Sequence, residues 1–123
     1  MDGSDDAKTA ALRVARNQAL FRSVNEQIEA SNQRFHVTFG DRADFVCECA
    51  DDNCMERITV TIDQYEELRH VPTHFIVKPG HVYPEFERVV EEIEGFSVVE
   101  NFGEAGKQAL KLDPRRVATD LHL

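Results

Sequence analysis

The stretch that decides the fold is Phe45-Val46-Cys47-Glu48-Cys49-Ala50-Asp51-Asp52-Asn53-Cys54, followed by Ile58-Thr59-Val60-Thr61-Ile62. Ile58, Val60 and Ile62 alternate with two threonines, the period-two pattern of a half-buried strand. Phe45 to Cys49 reads as its partner strand, so the two form a hairpin. The polar segment between them, residues 50–57, carries Cys54. On a strand, residues two apart point to the same face, so Cys47 and Cys49 face one way with Phe45, and Val46 and Glu48 face the other. Glu48 is then expected on an exposed face. A loop after the strand can fold Cys54 back over the pair.

Outward from this hairpin the patterning alternates between sheet and helix. Residues 1–7 read as a disordered acidic tail. Residues 8–33 carry one helical signal with no Pro or Gly inside it. Its apolar stripe is Val14, Phe21, Val24 and Ile28, with Leu20 beside it and Asn17 interrupting. Phe35 to Phe39 reads as a short strand or extended connector, and Gly40-Asp41-Arg42 as a turn. Thr61 with Gln64 makes a capping box, which starts a short helix with Tyr65 and Leu68 inward. Phe75-Ile76-Val77 is a third strand, closed by Pro79-Gly80. Pro84, then Phe86, Val89, Val90 and Ile93, then Gly95 predict a helix with a first-turn proline and a terminal glycine. Phe96 to Phe102 is a fourth strand, residues 104–112 a short helix, and residues 113–123 a flexible tail. The expected class is α+β: a long N-terminal helix, then, over residues 34–112, a small mixed four-stranded sheet with short helices between strands.

The chain has 123 residues, enough for one domain that buries roughly two-thirds of its unfolded surface. It holds 14 Lys and Arg against 23 Asp and Glu, a net charge of −9. The first 34 residues are neutral, with bases at Lys8, Arg13, Arg16, Arg22 and Arg34, so residues 35–123 hold the whole −9. Nucleic-acid binding through that acidic body is excluded, because phosphates need a basic surface. No apolar run reaches the roughly 18 residues of a membrane helix. The N-terminus lacks the basic and apolar regions of a signal peptide, which predicts a cytoplasmic protein with reduced thiols.

Three cysteines clustered within eight residues do not suit a disulfide framework. Three converging thiolates suit Zn²⁺, which prefers tetrahedral sulfur and nitrogen ligands and needs a fourth. Of the five histidines, His36, His70, His74, His81 and His122, the first choice is His81. It follows Pro79-Gly80 at the exit of the third strand, where a turn aims it at a neighbouring loop. His74, at the start of that strand, is second, and His36 could reach the site if its segment paired with the cysteine strand. The predicted metal ligands are therefore Cys47, Cys49, Cys54 and His81. An iron–sulfur cluster ranks below zinc for want of a fourth thiolate.

Three stretches together resemble a family of small, uncharacterised bacterial proteins: Ala15-Arg16-Asn17-Gln18-Ala19-Leu20-Phe21-Arg22-Ser23-Val24-Asn25-Glu26, Phe45-Val46-Cys47-Glu48-Cys49 and Phe75-Ile76-Val77-Lys78-Pro79-Gly80-His81. That family pairs an Arg-Asn…Phe-Arg-x-Val-Asn-Glu helix with a Cys-Glu-Cys…Cys segment and a Pro-Gly-His turn. The resemblance spans roughly residues 13–114. It implies a cytoplasmic protein with His81 in the same site as the cysteines, and it implies no activity.

Phosphate-loop and nucleophile-elbow motifs are missing; Gly103-Glu104-Ala105-Gly106-Lys107 has neither the glycine spacing nor the Ser/Thr of a phosphate loop. The functional expectation is a zinc-stabilised protein-interaction or regulatory module without catalytic activity. Its N-terminal helix would meet another protein or a second copy. The alternative is a thiol redox protein or sensor using Cys47, Cys49 and Cys54. A zinc hydrolase would need an open metal position and a carboxylate base such as Glu48 or Glu56.

Overall fold

The structure is a computed structural model that describes residues 3–34 and 42–115. The expected strand at Phe35–Phe39, most of the turn at Gly40-Asp41-Arg42, and His36 and His122 lie outside the described residues. The elements run α1 (Gly3–Arg34), β1 (Arg42–Val46), β2 (Arg57–Thr61), α2 (Ile62–Leu68), β3 (His74–Val77), β4 (Glu87–Ile93), β5 (Phe96–Asn101) and α3 (Gly103–Leu112). The α+β class stands. The single mixed sheet of four strands is corrected to two antiparallel sheets with five strands, β1-β2 and β3-β5-β4.

The extra strand replaces an expected helix. Glu87–Ile93 is β4, hairpinned onto β5 with Ile93 opposite Phe96 and Gly95 in the turn at φ +93°. The helical spacing of Phe86, Val89, Val90 and Ile93 has a simple physical origin. The register shifts between Val89 and Glu91, so Val90 is an extra residue in the ladder. A bulge breaks period-two alternation and imitates spacings of three and four. Adjacent valines also favour a strand once a partner is present. The capping box at Thr61 and Gln64 forms, with reciprocal bonds of 3.0 and 2.8 Å.

β1 also sits earlier than the sequence suggests. Its ladder with β2 runs from Arg42 opposite Thr61 to Val46 opposite Arg57, and Cys47–Cys49 lie beyond it. There the chain changes partners. The Cys47 amide bonds the Glu56 carbonyl at 3.0 Å, while the next amide, of Glu48, bonds the Ile76 carbonyl on β3 at 2.7 Å. Residues 47–49 therefore bridge the two sheets. The core fills the space between them. The Phe45 and Tyr65 rings stack at 4.4 Å, alongside Ile58, Val60, Phe75, Ile76, Val98, Val99 and the two buried cysteines.

Helix α1 begins at Gly3, within the segment expected to be disordered, and the face it buries is not the apolar one. Leu20 is 62% exposed and Val24 39%, while the buried stripe is Ala11, Val14, Ala15, Gln18, Arg22, Asn25 and Glu29. Only Val14 of the expected stripe is fully buried, and Ile28 packs against the core from the side. A polar stripe can go inside when its groups are bonded there. Gln18 Nε2 donates to Glu87 at 2.8 Å, and Asn101 donates back to Gln18 at 2.7 Å. Arg22 donates to the carbonyls of Pro72 and His74, and lies 3.7 Å above the Phe75 ring. Asn25 donates to the Val46 carbonyl and to Glu48, each at 2.9 Å, and accepts from the Val46 amide at 2.8 Å.

Glu48 is the corrected residue at the middle of this network. It is fully buried, not exposed. Its carboxylate accepts from Tyr65 Oη at 2.7 Å, Asn25 at 2.9 Å and the Ile76 amide at 3.1 Å, with Arg22 at 3.6 Å. The turn from β1 toward β3 rotates it inward, where these donors replace water. Glu48→Ala is expected to cost on the order of 3 kcal/mol in urea unfolding, because it strands a buried guanidinium and hydroxyl. Glu48→Gln should cost less, since it keeps an acceptor.

The far end of the chain is also tied. Asp113 bonds Arg69 at 2.6 Å, and Arg115 reaches Glu26, Glu29 and Glu66 at 2.8, 3.1 and 2.7 Å. Residues 116–123 of the expected tail lie outside the described residues. Burial, and then the hydrogen bond and charge of Glu66, push the Glu29 carboxyl from 4.5 up to about 8. A carboxyl raised in the folded state holds its proton more tightly there than when unfolded. Its contribution to stability is complete below about pH 4.5 and is lost as pH rises toward 8. Between pH 5 and 8 the parent should therefore lose unfolding free energy relative to Glu29→Gln, and the difference between the two should change steadily across that range. An unchanged slope in the variant would refute the assignment.

Candidate metal centre

The partner switch at residues 47–49 builds half of the site. Cys47 and Cys49 are each 1% exposed, at the junction of the two sheets. The loop after them turns at Asp51, whose carboxylate accepts the Asn53 amide at 2.9 Å and whose carbonyl accepts the Cys54 amide at 3.1 Å. That turn returns Cys54, half-buried, toward the pair. The other half comes from the end of β3. Gly80 has φ +86°, a conformation that favours glycine, and the His81 amide closes the turn onto the Lys78 carbonyl at 3.0 Å. The turn delivers the His81 ring to the cysteines.

The ligand atoms of Cys47, Cys49, Cys54 and His81 all lie within 4.8 Å of one another. His81 Nδ1 is 3.6 Å from the Sγ atoms of both Cys47 and Cys54. A tetrahedron with metal–sulfur bonds of about 2.3 Å and a metal–nitrogen bond of about 2.1 Å has nitrogen–sulfur edges of about 3.6 Å. The donor set and its spacing thus fit a metal ion. The Lys78 amide donates to Cys47 Sγ at 3.2 Å, which steadies negative charge on that sulfur. Within the cluster, the hydrogen bond between Cys47 and Cys49 raises the first thiol and lowers the second, to about 5. One proton is held between two sulfurs that cannot both be charged cheaply. Burial is the main cause that raises Cys54.

His74, the second choice for the fourth ligand, is elsewhere. Its Nε2 pairs with Glu100 across the β3-β5 ladder at 3.0 Å. Glu48, weighed as a hydrolytic base, is spent on Tyr65, Asn25 and the Ile76 amide. Glu56 touches the site through its backbone, as acceptor for the Cys47 amide.

The residues that sequence reasoning missed are the polar groups of α1. Asn25 holds both backbone atoms of Val46, immediately before Cys47, and the side chain between Cys47 and Cys49. Asn17 donates to the carbonyl of Ala50, immediately after Cys49, at 2.9 Å. Gln18 bonds Glu87, whose other oxygen accepts the Tyr83 amide at 2.9 Å, two residues past His81. The helix therefore grips backbone on both sides of the cysteine pair and close to the histidine. The available signal was the recurrence of Asn17, Gln18, Arg22 and Asn25 at helical spacing.

No protein-family model, curated protein or solved structure matches this chain.

Because Cys47 and Cys49 are buried and Cys54 is not, alkylation of reduced, chelator-treated protein should label Cys54 first. Asn25→Ala removes three hydrogen bonds and should speed labelling of Cys47 and Cys49 by about tenfold or more through local opening. Equal rates in the parent and the variant would show that α1 does not hold this segment.

Proposed function

We propose that this chain is a small zinc-stabilised protein-interaction or regulatory module without catalytic activity, with Zn²⁺ held by Cys47, Cys49, Cys54 and His81. The observation that carries this reading is the convergence of four ligand atoms within 4.8 Å from two separate loops. Thiolate-rich sites with four protein ligands are the closed, structural kind, whereas catalytic zinc keeps a position for water. A zinc ion there would cross-link the β1–β2 connection to the β3–β4 connection. Its binding free energy would then add to folding. The hydrolase reading loses support on both counts, since four ligands leave no open position and Glu48 is committed elsewhere.

The module would work in the cytoplasm, in keeping with its reduced cysteines and with the family resemblance noted above. Among the described residues no helix is long and apolar enough to cross a membrane. Its partner would be another protein, or a second copy, met through α1. The redox reading draws on Cys54, the one half-exposed thiol, beside two buried ones. It requires a metal-free cluster.

Metal content and free thiols separate the two readings. Protein purified without added metal should carry one zinc per chain, with thiols that react only after chelation. Cys47→Ser and His81→Ala should each lose the metal and lower the melting temperature. Metal-free protein with immediately reactive thiols would overturn the zinc reading in favour of redox chemistry.

A further inference from the structure

Helix α1 turns a second, unused face outward. Arg13, Arg16, Leu20 and Val24 are all exposed and fall on one stripe by three- and four-residue steps. Phe21 flanks that stripe on the side of the body. It is half-buried and forms one wall of an apolar pocket of about 390 Å³, with Val46, Cys54, Met55 and Arg57 opposite. Met55 is 89% exposed and Leu20 62%, the two most exposed large apolar side chains among the described residues. The patch therefore runs from the outer face of α1 directly to a ligand of the metal centre.

Its charge is opposite to that of the molecule. The chain carries −9, yet Arg13, Arg16 and Arg57, all exposed, border this patch. Acidic Asp52 lines the loop side of the pocket. Of the other described arginines, Arg69, Arg88 and Arg115 pair with carboxylates and Arg22 is buried, while Arg42, at the start of β1, is exposed as well. Apolar anchors bordered by unspent cations suit an occupant with apolar side chains on one face and carboxylates beside them.

We propose that this patch docks an acidic amphipathic helix of another protein, and that the metal centre shapes it. A second copy of the chain is a poorer fit, because it would set its own Arg13 and Arg16 against these. A flat anionic membrane is poorer as well, since it would also face the acidic body, while a single helix meets only the stripe. The proposal rests on the metal reading through Cys54. Apart from the Cys49 thiol on the Asp51 carbonyl, the backbone hydrogen bonds of residues 51–54 lie within their own loop, so an ion at Cys54 would anchor the wall that carries Met55.

The chain has two methionines, so a methyl-labelled sample reports Met55 separately from Met1. The probe is a synthetic Glu/Leu amphipathic helix about four turns long, titrated into zinc-loaded full-length protein. A Lys/Leu peptide of the same design and anionic vesicles serve as comparisons. Zinc per chain is counted in the same sample by native mass spectrometry. The expected result is a saturable shift of Met55 with the Glu/Leu peptide alone. The double variant Arg13→Glu, Arg16→Glu should weaken it about tenfold, and chelation should weaken it again. A bound zinc with no Met55 shift, an equal response to the Lys/Leu peptide or to vesicles, or a concentration-dependent dimer that masks Met55 would overturn the docking proposal and leave the metal reading intact. A sample with no zinc, or binding unchanged by chelation, would overturn the coupling to the metal centre.

Discussion

A carboxylate taken out of water must be surrounded by donors, and the burial of Glu48 imposes that requirement on α1, α2 and β3 together. Tyr65 comes from α2, Asn25 and Arg22 from α1, and the Ile76 amide from β3. Three separate parts of the chain converge on one side chain. Glu48 also stands between Cys47 and Cys49, so whatever orients its carboxylate orients the two thiols as well. The structural network and the candidate metal centre are two faces of the same three residues.

This arrangement explains why α1 buries polar groups and leaves Leu20 and Val24 outside. An apolar stripe would have covered the sheets equally well but could not have held backbone. Asn25 occupies the amide and carbonyl of Val46 just where β1 leaves its ladder, and Asn17 occupies the carbonyl of Ala50. Those backbone groups lie at the end of a strand pairing, where they would otherwise be left without partners in a buried place. The helix thus supplies for the cysteine segment the bonding that a neighbouring strand would supply elsewhere. Its outer face is then free to remain apolar and basic.

The second sheet contributes His81, the fourth candidate ligand, in a different manner. β3 is short and buried, and it ends at a turn whose glycine takes a positive φ. His81 is carried by that turn. Glu87, buried at the start of β4, holds the backbone of Tyr83 just beyond. Cys47, Cys49 and His81 thus stand just past the ends of β1 and β3, where α1 and Glu87 hold neighbouring backbone, and Cys54 follows on the loop beyond Ala50. Arg69 and Arg115 act at the opposite end, drawing α1, α2 and the residues after α3 together through shared carboxylates.

The sequence by itself determined the local features. The alternation at Ile58–Ile62, the capping box at Thr61, the helix following Gly103 and the clustering of three cysteines near a Pro-Gly-His turn are all short-range patterns. Each depends on neighbours a few residues away, so each is legible in a string. Tertiary structure decided the rest. The bulge at Val90 disguised a strand as a helix, and only pairing with β5 resolves it. The inward turn of Glu48 depends on donors that lie between 17 and 28 residues away. The choice of a polar face for α1 depends on orphaned backbone groups that exist only once two sheets have formed. The Pro-Gly turn already ranks His81 above His74 in the sequence; what tertiary structure adds is the partner of each, Glu100 on β5 for His74 at the start of β3 and sulfur for His81 beyond its end. Hydrophobic periodicity reports which residues could be buried. Which ones are buried follows from where the unsatisfied hydrogen-bonding groups of the assembled fold come to lie.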